Sequence, residues 1–210
     1  MRVEHLPCGA FVNASEELAF THVRDKLQGE LGDERFLVLT NVSHSVGASA
    51  PADEIDMVVL GPTGVQVIEV KHWDRKYLRR NKWRVEEEAD KLERKTRKVA
   101  TRLRAKYPDL GRVDGKMLLT RQAGSLRAQG EEPVRGIRLF ALEDWRPLLD
   151  LGRPHQLPDD RLDVLAEVIV PRAQIALRGE LSPDIPHYLG LHYPTLGKIV
   201  TAAGSYLKIL

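Results

Sequence analysis

Glu54-Ile-Asp-Met-Val-Val-Leu-Gly-Pro-Thr-Gly-Val-Gln-Val-Ile-Glu-Val-Lys-His-Trp73 decides how this chain is read. Residues 54–60 and 65–71 are rich in Val, Ile and Leu, the composition of strands. Between them Gly61-Pro-Thr-Gly64 supplies turn chemistry, which predicts a hairpin with a four-residue loop. If Leu60 faces Val65, then Asp56 lies opposite Glu69, and Glu54 opposite Lys71. Glu69 and Lys71 are two apart on one strand and project from the same face. Several ionisable groups therefore share one patch of sheet.

Two carboxylates in that relation are unfavourable. With Cβ atoms about 5 Å apart and an effective dielectric near 20, they repel by about 3 kcal/mol. A proton, Lys71 or a divalent cation must offset the repulsion. Mg²⁺ suits such a site, because it takes one or two carboxylates, keeps its waters and is completed by substrate phosphate. The alternative is a surface ladder in which Glu54, Lys71, Asp56 and Glu69 neutralise one another.

Outward from the hairpin, residues 13–27 carry Ala19, Val23 and Leu27 at helical spacing, with Phe20 widening the stripe and Asn13 or Ser15 as N-cap. Residues 36–42 form a nearly continuous apolar strand, and residues 43–53 a loop. Residues 85–106 predict a long helix through Val85, Ala89, Leu92, Thr96, Val99 and Leu103. Residues 116–120 and 136–141 read as further strands, and 162–170 as a helix stopped by Pro171. The order of helix, three strands, long helix, strands and helix predicts an α/β domain with a mixed central sheet flanked by helices.

The chain has 210 residues, 42% apolar and 30% charged, which excludes disorder and permits a substantial core. No apolar run is long enough to span a membrane, no signal-peptide core is present, and Cys8 is the single cysteine. A soluble cytoplasmic protein without membrane association is expected. The net charge of +2 hides a cluster, because residues 71–106 hold 15 Lys or Arg against 6 Asp or Glu. Such a cluster suits a polyanionic partner, or simply a solvated helix face whose charges follow the macrodipole.

Residues 39–42, 54–65 and 67–73 together resemble the nuclease-related domain, NERD, over about residues 13–145. That family is similar to the PD-(D/E)xK nucleases. The resemblance implies a restriction-endonuclease-like αβββαβ core and a nuclease hydrolysing phosphodiester bonds, in DNA rather than RNA, with Mg²⁺ or Mn²⁺ as cofactor. Asp56, Glu69 and Lys71 match the D and ExK positions, and the Val70 carbonyl would be a further metal ligand. The family's glutamate on the first helix falls on Glu16, which also stands at capping-box spacing from Asn13. Lys82-Trp83 resembles the Trp that follows the ExK strand, but the Gln that many relatives carry early in the long helix is missing, with none between Gln66 and Gln122.

Arg75, Lys76, Arg79, Arg80 and Lys82 are candidates for nucleic-acid phosphates, or belong to a solvated loop. The segment at residues 111–116 is one residue short of a P-loop and reads as a turn, and His187 and His192 do not have metal-pair spacing. Residues 1–145 are expected to be the nuclease-like domain. Residues 146–210 are expected to be an extension, whose apolar end leads into a further domain of a longer protein. The family resemblance implies a fused kinase or helicase there, in some cases a phage-defence kinase. A non-cleaving nucleic-acid-binding or regulatory module is the competing reading, and a purely structural interaction domain a third.

Overall fold

Residues 57–70 of the central hairpin are all buried, and the fold covers both faces of the sheet there. In the computed structural model, which describes residues 1–30, 32–44, 53–128, 130 and 132–170, six strands form one sheet in the order β1 to β6. They are β1 (Arg2–Pro7), β2 (Arg35–His44), β3 (Asp53–Gly61), β4 (Gly64–Lys71), β5 (Val113–Leu119) and β6 (Arg138–Ala141). The pairs β2–β3 and β3–β4 are antiparallel, whereas β1–β2, β4–β5 and β5–β6 are parallel. The helices are α1 (Ala14–Gly29), α2 (Arg75–Arg80), α3 (Lys82–Lys106), α4 (Trp145–Leu148) and α5 (Leu162–Ile169). The run from α1 through β2, β3, β4 and α3 to β5 is the expected αβββαβ core, with α2 inserted before α3.

On one face, Leu39, Val58, Leu60, Val65, Val67, Met117 and Leu119 pack with Val85, Ala89, Leu92, Val99 and Leu103 of α3 and with Leu162, Leu165 and Ile169 of α5. On the other, Phe36, Val38, Met57, Val59, Ile68, Val70 and Leu118 meet Ala19, Phe20, Val23 and Leu27 of α1. Apolar cover on both sides explains why β3 and β4 read as nearly unbroken hydrophobic runs.

Several boundaries differ from expectation. β1 precedes the first helix and pairs only with β2; a short edge strand ending in Pro7 leaves little pattern to read. The hairpin loop is shorter than four residues, because Gly61 and Gly64 pair with each other and leave Pro62-Thr63 as a two-residue connection. Glycine is required at both ends: a Cβ on Gly61 would stand 2.4 Å from the Phe36 ring, and Gly64 has a φ of +116°. Residues 113–116 are strand rather than turn, and Lys116 is wholly buried, donating to the Leu148 carbonyl at 2.6 Å and to Asp150 at 2.7 Å. Residues 43, 44 and 53, read as loop, belong to β2 and β3. Residues 45–52 and 171–210, with His187, His192 and the apolar C-terminal run, lie outside the described residues.

Candidate active site at the end of the central hairpin

The register pairs Leu60 with Val65 and continues to Met57 with Ile68, where the β3–β4 ladder stops. Asp56 is the next residue. Instead of pairing through its backbone with Glu69, it accepts the Val70 amide proton on Oδ2 at 2.7 Å. The β2–β3 ladder skips the same place: Thr40 pairs with Met57 and Val42 with Ile55, but the intervening Asn41 has a φ of 52°. Asparagine tolerates this left-handed conformation, and Asn41 anchors it by donating to the Ala10 carbonyl. Asp56 therefore sits where both ladders open.

Glu69 and Lys71 project with Val65 and Val67 towards α3, the face that Asp56 shares with Val58 and Leu60. Glu69 is only 7% exposed, and each of its oxygens meets an ammonium group: Oε1 at 3.0 Å from Lys71 Nζ and Oε2 at 2.8 Å from Lys95 Nζ. Lys71 also meets Glu88 at 2.9 Å, and Lys91 bridges Glu88 at 2.8 Å and Glu87 at 2.7 Å. Glu88 and Lys95 flank the buried α3 stripe of Val85, Ala89, Leu92 and Thr96, which places their charged ends over the β4 terminus.

The ionisation states follow from these contacts. Burial pushes the Asp56 carboxyl up to about 7, and the facing Glu69 charge pushes in the same direction, followed by the more weakly acting Glu16; the Val70 amide and Lys71 pull it partly back. Burial alone would lower Lys71, but Glu69 and Glu88 hold it well above the ordinary lysine range. Burial would raise Glu88, yet Lys91 and Lys71 bring it down to about 2. Lys71 is thus a firmly held cation, and Asp56 is the carboxylate without full compensation.

Glu16 is 7% exposed and turns to its own helix start, accepting from the Val12 amide at 2.9 Å and from the Asn13 side-chain amide, while Asn13 caps the helix through the Ser15 and Glu16 amides. It acts on Asp56 through its charge. Arg75 opens α2, a helix capped by Asp74 rather than the solvated loop considered from sequence, and its amide donates to Gln122 at 2.7 Å. Lys76, Arg79, Arg80 and Lys82 are exposed and have no carboxylate partner among the described residues. His72 points away and bonds Thr120 at 3.1 Å.

Asp56 and Glu69 carry hard oxygen donors, and Asp56 lacks a matching positive charge. Among the described residues no group of three or more His, Cys, Asp or Glu side chains could hold a metal ion. Two carboxylates fit a largely hydrated Mg²⁺ or Mn²⁺, which needs few protein ligands, and do not fit a dedicated protein cage. Glu88, Lys95 and Asn41 were not singled out from sequence. The first two could have been found as charged residues bordering the apolar stripe of α3, whereas nothing local marks Asn41.

The family model of the nuclease-related domain, NERD, matches residues 13–120, about half of the chain. Neither the curated proteins nor the solved structures give a significant match. Among the described residues no helix is long and apolar enough to cross a membrane.

Proposed function

The chain belongs to the NERD family of nuclease-related domains, and from that premise we propose that it is a divalent-metal-dependent nuclease acting on DNA. The supporting observation is the meeting of Asp56, Glu69 and Lys71 under the first half of α3, where the sheet ladders open. Asp56, Glu69 and the Val70 carbonyl would hold Mg²⁺ or Mn²⁺. When bound, such an ion polarises a phosphoryl oxygen and acidifies a water molecule.

The chain's own residues do the rest. Held as a cation by Glu69 and Glu88, Lys71 donates a hydrogen bond and positive charge to the phosphate or the attacking water. Glu88 holds Lys71 in place, and Lys95 neutralises the second oxygen of Glu69. Glu16 orders the start of α1 and adds negative field near Asp56. Arg75, Lys76, Arg79, Arg80 and Lys82 bind backbone phosphates beside the site. The same reading takes residues 1–145 as the nuclease unit of a cytoplasmic protein. Residues 146–210 are then an extension of that unit.

One observation favours a second reading. Lysines hold both Glu69 oxygens, as expected of a non-cleaving regulatory module that binds nucleic acid without metal. Calorimetric titration with Mn²⁺, paired with plasmid cleavage, separates the two. The nuclease reading expects metal binding and cutting that Glu69→Ala removes together; plasmid binding without either supports the regulatory module.

A further inference from the structure

We infer that Trp83 and the cations around it form a stacking platform for an unpaired nucleobase, so that nucleic acid enters this site single-stranded. The inference rests on the nucleic-acid reading above and adds the form of the substrate. Trp83 is 67% exposed, whereas Trp73 stacks on Tyr77 with ring centroids 4.7 Å apart and Trp145 is half-buried. Its direction follows from the helix: Val85 faces the core, and two residues at about 100° each turn Trp83 to the outer side.

An isolated exposed tryptophan would need no explanation, but this one has four basic residues within four positions of it along the chain. Arg79, Arg80, Lys82 and Arg84 are all exposed, and none has a carboxylate partner among the described residues. The nearby acids are largely engaged elsewhere, Glu86 with Arg135 at 2.8 Å and Glu87 and Glu88 with Lys91. What remains is an aromatic face beside unpaired cations. That combination binds single strands, since every base offers a π-face while the phosphates meet the positive charge. A duplex hides its base faces and would use only the cations. Trp83 precedes Glu88, the residue that holds Lys71, by five residues, an axial rise of about 7.5 Å along α3.

The test is binding in EDTA, so that cleavage plays no part. Fluorescence anisotropy would compare labelled oligo-dT, oligo-rU and a duplex, each of about 20 units. Both single strands are expected to bind more tightly than the duplex. Trp83→Ala should weaken single-strand binding about tenfold and leave the duplex nearly unchanged, with Trp83→Phe keeping most of the affinity. The ratio of oligo-dT to oligo-rU affinity then tells DNA from RNA. A Trp83→Ala protein that binds single strands like the parent overturns the platform, as does a Phe variant that loses as much as Ala, or a parent that prefers duplex. A parent that binds none of the three overturns the nucleic-acid reading as well. Single-strand binding lost in Trp83→Ala, in a parent that never cuts, upholds the platform and removes only the nuclease activity.

Discussion

Replacing Asp56 with Asn should stabilise the metal-free protein at neutral pH. The carboxyl is raised from 3.8 to about 7, so the folded state holds its proton more tightly than the unfolded chain does. At about 1.36 kcal/mol for each tenfold change in proton affinity, ionised Asp56 disfavours the fold by up to about 4 kcal/mol. The sign follows directly. Below pH 3.8 the group is protonated in both states and imposes no penalty, and the penalty grows as pH rises to about 7. Asparagine keeps an oxygen for the Val70 amide, although a weaker acceptor, so the expected net gain is about 2–3 kcal/mol. Urea unfolding in EDTA at about pH 5 and about pH 7.5 measures it. The parent should lose stability across that interval relative to Asp56→Asn, and the variant should be the more stable at the upper end. A variant that is less stable there, or a parent with the same pH dependence as the variant, would refute the reasoning.

Lys95→Met frees one oxygen of Glu69 and should raise Mn²⁺ affinity severalfold by calorimetry; unchanged or weaker binding would show that Lys95 does not compete with the ion. Gln66 is 1% exposed with neither side-chain polar atom partnered, so Gln66→Met should stabilise the fold by about 1–2 kcal/mol in urea titrations. Lys116→Ala strands Asp150 and the Leu148 carbonyl and opens a cavity, so a loss of about 3–5 kcal/mol is expected; a loss under about 1 kcal/mol would mean that Arg138 and Arg153 suffice for Asp150.

The hairpin was legible because a tight turn fixes register, and register fixes which side chains share a face. Leu60 opposite Val65 follows from the positions of Gly61 and Gly64 alone. α1 and α3 were legible from their apolar spacing, since each buries one stripe against the sheet. β1 was not, because its six residues owe their order to pairing with β2. α2 was missed for a similar reason: among Arg75, Lys76, Arg79 and Arg80, only Leu78 is buried, which leaves no periodic stripe. At the site, the pattern puts Asp56 and Glu69 on one face of the hairpin, but neither the ladder break at Asp56 nor the partner Lys95 is legible in it. Lys95 is 26 residues from Glu69, and how far α3 slides over β4 is set by packing along its whole length. The break at Asn41 depends likewise on a carbonyl 31 residues away.

The central claim is that Lys71 acts on a phosphodiester bond beside a metal held by Asp56 and Glu69. Cutting of supercoiled plasmid and of a labelled single-stranded DNA by the parent and by Lys71→Ala, with Mg²⁺ or Mn²⁺ and with EDTA, distinguishes the outcomes. Cutting by the parent is expected only when metal is present, with a fall of about 100-fold or more in Lys71→Ala. A parent that cuts equally well in EDTA, a parent inert with both metals, or a Lys71→Ala protein as active as the parent would contradict it.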